Sequence, residues 1–198
     1  IIYDLAPGLE KLYLVEGTTG LDIQVAIETL QAKGVRVISA SFGWDAYTPM
    51  DGSGFIQTSI AAFKAGGGLY VQAAGNERNF TWWGAFSDSD ANGWAEYDAA
   101  GSDEINSVMK DDASYFYPAD TELELRLTWN QWSSPQTDLD LYLYYYDSAQ
   151  SKWVKVAEST DPQSSLSSQY PLESISYTTT QAGEYGVAIW RDSGPSTA

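Results

Sequence analysis

Gly66-Gly67-Gly68-Leu69-Tyr70-Val71-Gln72-Ala73-Ala74-Gly75-Asn76 joins a helix stop to a short strand that ends in a tight polar turn. The glycines close a helix marked by Ile56, Ile60 and Phe63, and Leu69 to Ala74 follows as a strand. Outward from this stretch the same alternation repeats. Val35 to Ser41 is a strand whose side chains are apolar or small on both faces, as expected for a parallel strand covered above and below. Before it, Ile23, Ala26, Ile27 and Leu30 recur at the spacing of one helical face within Leu21 to Lys33, and Gly34 supplies a left-handed stop. The apolar run Lys11-Leu12-Tyr13-Leu14-Val15 reads as a first strand. The order is then βαβαβ, for which a right-handed parallel arrangement is favoured. Three strands and two helices make a thin core, so this unit reads as part of something larger.

From about residue 105 the period of the pattern drops to two. Glu122 to Trp129 sends its leucines and Trp129 one way and its polar residues the other, and Asp138 to Tyr146 does the same with Leu139, Leu141, Leu143 and Tyr145. Trp153 to Glu158, Leu172 to Thr178 and Gly183 to Arg191 continue the series, with Ser, Pro, Asp and Gly clusters between them. The expected fold class is therefore α/β plus all-β. A partial parallel α/β unit occupies residues 1–77, an Asp- and Trp-rich connecting region residues 78–104, and an antiparallel β-sandwich residues 105–198.

Composition narrows the chemistry. The 198 residues carry a net charge of −17, and 43% are hydrophobic, which is ample for buried cores. Residues 1–77 hold 8 acidic and 4 basic side chains, which leaves 19 and 6 for the remainder, so the acidity lies mainly in the second half. Nucleic acid and anionic lipid are not expected as partners, because both would bring like charges together. The acidic surface suits a solvated, exported protein or a calcium-binding face. With no cysteine and no histidine there are no disulfides, no thiolate metal sites and no imidazole base, so any metal is held by oxygen. No apolar run approaches a membrane span, and no signal-like segment stands at Ile1.

In order and spacing, three motifs resemble the subtilisin-like serine peptidases: the Ala6-Pro7 before the first apolar run, Ser41-Phe42-Gly43 after one strand, and Ala73-Ala74-Gly75-Asn76 after the next. The resemblance covers about residues 4–77, with Phe42 standing where the family usually has leucine or a similar residue. It implies that Asn76 points its side-chain amide at the developing oxyanion. It further implies that the backbone of Ser41, Phe42 and Gly43 pairs with an extended substrate while Ala73, Ala74 and Gly75 line the adjoining subsite. An alternative reading is that Asn76 merely ends a strand with a turn. The family's catalytic Asp and His would lie before Ile1 and its Ser after Asn76. The closing Gly194-Pro195-Ser196-Thr197-Ala198 reads as a linker or turn rather than as the nucleophile's setting. Serine without histidine is a poor nucleophile, so this chain alone is expected to hydrolyse nothing.

The second half is similar to the calcium-associated β-sandwich called the prepeptidase C-terminal domain, on the strands at Glu122 to Trp129, Thr137 to Leu143 and Gly183 to Trp190. Here it stands inserted after the oxyanion strand. Asp88, Asp90 and Asn92, with Gly93, resemble the start of a calcium loop, although Ala99 stands where an EF-hand has its glutamate. An Asx-rich solvated turn is the other reading. Asp138 and Asp140 share a strand face and must repel in water or converge on a cation such as calcium. Trp82, Trp83, Trp94, Tyr142, Tyr144, Tyr146 and Trp190 form either a stacking surface or cross-strand packing.

Two functions follow. One is an internal segment of an exported subtilisin-type serine endopeptidase, whose partners are a peptide or protein substrate and the remainder of the peptidase domain. The other is a non-catalytic, calcium- or ligand-binding extracellular module derived from such a peptidase.

Overall fold

The computed structural model describes residues 2–43, 48–49, 51–75, 80–98, 101, 103–110, 113–132, 134–163 and 170–195. The chain forms two units, one made of Ile1–Gly43 and Met50–Ala74, the other of Trp44–Pro49 and Gly75–Ala198.

In the first unit a short helix, α1 (Ile2–Leu5), precedes α2 (Gly20–Ala32). Thr19 and Asp22 form a capping box at the start of α2: the Thr19 hydroxyl accepts from the Asp22 amide at 3.2 Å, and the Asp22 carboxylate accepts from the Thr19 amide at 2.9 Å. Gly34, at φ 76°, takes the left-handed turn beyond the helix end. Ile23, Ile27 and Leu30 are buried against α3 (Phe55–Ala65), which contributes Ile56, Ser59 and Phe63. Strands β1 (Val37–Ala40) and β2 (Leu69–Gln72) pair in parallel from Val37↔Leu69 to Ala40↔Gln72.

Two expectations are corrected here. Lys11 to Val15 forms no strand; it runs as irregular chain with Leu14 87% exposed. An apolar run becomes a strand only where a neighbour completes its hydrogen bonds, and among the described residues β1 and β2 pair only with each other. The expected three-stranded βαβαβ unit is thus a two-stranded one. Among the described residues the sheet is also covered on one face only. Ala40 is buried and Ile38 and Tyr70 are half-buried on that face, while Val37, Leu69 and Val71 on the other are exposed.

The second unit holds the antiparallel strands β3 (Asn106–Ser107), β4 (Phe116–Tyr117), β5 (Glu122–Thr128), β6 (Asp138–Asp147), β7 (Lys152–Ser159), β8 (Leu172–Thr178) and β9 (Gly183–Ser193). One sheet runs β3-β9-β6-β7, with β4 also on β9; the other is the pair β5-β8. Period two decides their faces. Leu139, Leu141 and Leu143 from β6, Tyr185 and Ile189 from β9, Leu123 from β5 and Ile175 from β8 meet in one core. Residues 80–98, read from sequence as a connecting region, are built into this unit. Ala95 lies in the core, its amide donating to the Ile189 carbonyl at 2.9 Å, and Trp94 bridges to Trp190. The polar, turn-rich composition that suggested a linker instead makes hydrogen bonds within the unit. The Glu96 carboxylate accepts from the Ser89 amide and hydroxyl and from the Ser87 hydroxyl at 2.7, 2.6 and 3.1 Å.

Candidate functional site

Parallel strands bring their carboxyl ends to one edge, where backbone leaves the ladder and becomes available to a ligand. Beyond Ala40 and Gln72 the chain continues as Ser41-Phe42-Gly43 and Ala73-Ala74, tied at the base by the Ala73 amide donating to the Ala40 carbonyl at 2.9 Å. All five residues are exposed, and a side chain added at Gly43 would meet nothing within 4 Å. Gly75 has φ 85°, a left-handed conformation that glycine adopts without strain. The candidate oxyanion donor Asn76 lies outside the described residues, as does Ser196.

One residue at this edge was passed over in the sequence. The Gln72 side-chain amide nitrogen donates to the Phe42 carbonyl, and its side-chain oxygen Oε1 accepts from the Tyr70 hydroxyl at 3.1 Å. The two strand ends are thereby fastened by a side chain as well as by the ladder. Burial pushes the Tyr70 hydroxyl above its ordinary pKa, which keeps it a donor. A polar residue closing an otherwise apolar strand was the available signal.

The residues considered for calcium fall into two settings. The Asp88 carboxylate accepts from the Arg191 guanidinium at 2.8 Å and from the Gly93 amide at 3.2 Å; its side chain is 1% exposed. The guanidinium supplies a positive charge to one Asp88 oxygen, while the other, Oδ1, is buried with no hydrogen-bond partner among the described residues. Asp90 accepts from the Asn92 amide at 3.1 Å, and Asn92 accepts from the Trp94 amide at 2.9 Å, which is the geometry of successive Asx turns. Asp138 and Asp140 are buried at the start of β6. One accepts from the Gln163 amide at 3.0 Å, the other from the Tyr142 hydroxyl at 3.0 Å. Burial pushes both carboxyls up, and at Asp140 the charges of Asp138 and Asp192 add to it. These two fit a cation in charge and chemistry, although among the described residues no group of three or more acidic side chains gathers round one point.

The aromatic residues split in the same way. Trp94 packs edge-on against Tyr142 and Trp190 at 5.3 and 4.9 Å, and Tyr146 against its cross-strand partner Trp153 at 5.2 Å. Lys155 lies over the Tyr142 ring at 5.1 Å. Cross-strand packing therefore holds most of the set, and Trp83 stands apart at 93% exposure.

The family model of the subtilases matches residues 10–183, which is most of the chain. The chain belongs to the subtilase family. No curated protein and no solved structure matches it. Its membership makes it a chain of serine-peptidase type, directed at a protein or peptide substrate. As a subtilase it is matched well beyond Asn76, where the sequence motifs stop, and through the strands of the second unit as far as Gly183. None of its helices among the described residues is long and apolar enough to cross a membrane.

Proposed function

We propose that this subtilase chain is the substrate-strand segment of an exported serine endopeptidase, with the antiparallel second unit as an inserted β-sandwich that tunes substrate access or attachment. The observation that carries the reading is the open edge where Ser41-Phe42-Gly43 and Ala73-Ala74 emerge side by side from a parallel ladder. An extended peptide adds to the first segment by backbone pairing, and the small side chains of the second leave room for the residue before the cleaved bond. Asn76, next in the chain after Gly75, supplies a neutral amide donor to the tetrahedral oxyanion, a role that needs no titratable group. The base is a histidine that these 198 residues do not contain. The bare apolar face formed by Val37, Leu69 and Val71 supports further structure packed on this sheet. Calcium, in this reading, belongs with Asp138 and Asp140, where it would relieve the repulsion of two buried carboxylates.

The test uses the native protein that contains this chain. Asn76→Ala is expected to lower kcat by about 10²–10³, the magnitude known for the corresponding donor in subtilisin itself, with KM little changed. An unchanged kcat would remove Asn76 from the chemistry. A native protein that a serine-directed fluorophosphonate fails to label would leave the non-catalytic binding module as the reading.

A further inference from the structure

Asp88-Ser89-Asp90-Ala91-Asn92-Gly93 carries carboxylate or amide side chains at its first, third and fifth positions and glycine at its sixth, the spacing of a calcium loop. Spacing alone makes no site, but one atom here points to a ligand. The Asp88 side chain is 1% exposed. Its Oδ2 accepts from the Gly93 amide at 3.2 Å and from the Arg191 guanidinium at 2.8 Å, which fixes the carboxylate facing across the loop. The other oxygen, Oδ1, is buried and has no hydrogen-bond partner among the described residues. A carboxylate oxygen taken out of water is costly unless something positive or donating meets it.

The rest of the loop turns its oxygens the same way. Asp90 Oδ2 and Glu104 Oε1 both accept from the Asn92 side-chain nitrogen, at 3.0 and 2.5 Å, so two carboxylates converge on one amide. Trp94 bridges to Trp190 through two bonds of 2.9 Å, from the Ala95 amide to the Ile189 carbonyl and from the Arg191 amide to the Gly93 carbonyl. These bonds belong to the flanking residues, so the amide and carbonyl of Trp94 itself point away from β9. On that side the Trp94 amide meets Asn92 Oδ1 at 2.9 Å.

We propose that residues 88–94 bind a calcium ion through Asp88 Oδ1, an Asp90 carboxylate oxygen, the Asn92 side-chain oxygen and the Trp94 carbonyl, with water completing the shell. Calcium takes six to eight oxygens in flexible geometry, and this mixture of carboxylate, amide and main-chain oxygens suits it better than the rigid octahedron of magnesium. Two carboxylates balance its charge. Calcium takes over the role that the Asn92 amide nitrogen plays toward Asp90, and the amide turns to present its oxygen. Arg191 holds Asp88 by the oxygen that the ion does not use, as an outer hydrogen bond orients a metal ligand. The loop is bonded to β9 at Gly93 and Ala95, so the ion fastens it to the larger sheet. The site lies within the second unit, uses residues other than Asp138 and Asp140, and does not depend on peptidase chemistry.

The probe is terbium, which accepts calcium's oxygen ligands and emits when a neighbouring indole, here Trp94, is excited. The whole chain, washed with a chelator and then freed of it, is titrated with terbium, and the emission is expected to saturate and to be displaced by calcium but not by an equal concentration of magnesium. Asp90 is exposed, so Asp90→Ala tests the loop without disturbing the core; it is expected to weaken terbium and calcium binding at least about tenfold, and Asp88→Asn to do the same. Calcium is also expected to raise the melting temperature, with Asp90→Ala removing most of the rise. A chain carrying both Asp138→Asn and Asp140→Asn is expected to keep binding that Asp90→Ala still weakens, which separates this site from calcium at those two residues. No sensitised emission, which would leave a bound water as the partner of Oδ1, would overturn the proposal. So would binding that Asp90→Ala leaves unchanged, or binding lost altogether with Asp138 and Asp140.

Discussion

Gln72, exposed at a strand end, and Glu173, buried on β8, show how much a single polar group can decide. Gln72 holds the Phe42 carbonyl, which in the function proposed above lies on the path of an extended substrate. Gln72→Ala removes one hydrogen bond, worth about 0.5–1.5 kcal/mol, from the strand end without touching Asn76, the proposed oxyanion donor. In the native peptidase it is expected to shift KM severalfold and leave kcat nearly unchanged, the opposite split from Asn76→Ala; steady-state kinetics on an extended peptide separates them. Glu173 is 1% exposed on the core side of β8, where its carboxylate accepts from the Ser159 hydroxyl, the Gln163 side-chain amide and the Asp161 amide. Burial raises its pKa above 4.5 despite those donors. A raised acid binds its proton more tightly when folded, so stability falls as pH rises from 4.5 through the folded value. Glu173→Gln is expected to stabilise the second unit at pH 7 and to flatten its stability between pH 5 and 7, read by urea unfolding at both. Neither residue was legible as a site. Gln72 looked like one position of a strand, and period two alone would have placed a glutamate beside Ile175 in the core only as an error.

At the scale of elements, local signals were read well where they are self-contained. The helix read from Leu21 to Lys33 is α2, Gly20–Ala32, and the strand read from Leu172 to Thr178 is β8 with the same limits. Such elements carry their own period and stops. The capping box of α2 gives a direct check. Thr19→Ala is expected to cost about 1 kcal/mol at pH 7. Its partner Asp22 has a pKa held below 3.8, first by the Thr19 hydroxyl, so the stability it contributes is present above 3.8 and lost as pH falls through the folded value. The penalty of Thr19→Ala should therefore shrink in melts at pH 3. Lys11 to Val15 marks the limit of such reading. Its composition suits a strand, but a strand also needs a partner edge, and no residue within the run says whether one is present. The two-residue strands β3 and β4 were missed because two residues are too few for any period to show.

For the whole molecule, a net charge of −17 is self-repulsion that salt screens. Raising sodium chloride from about 10 mM to about 0.5 M, which shortens the screening length from ~30 Å to a few ångströms, is expected to raise the melting temperature; a melting temperature independent of salt would mean the acidic groups are already paired. The sequence by itself determined the chemistry that is impossible here, the parallel and antiparallel halves, most of their strands, and the strand-end motifs of a subtilase. These are local: composition, period and short motifs survive without knowledge of what lies nearby. Tertiary structure alone decided that residues 80–98 join the second unit, that Asp88 meets Arg191, that Gln72 reaches Phe42, and that the two sheets of that unit differ in width. Each depends on groups between 30 and 103 positions apart, or on the relative extent of whole sheets, and no local pattern records such distances.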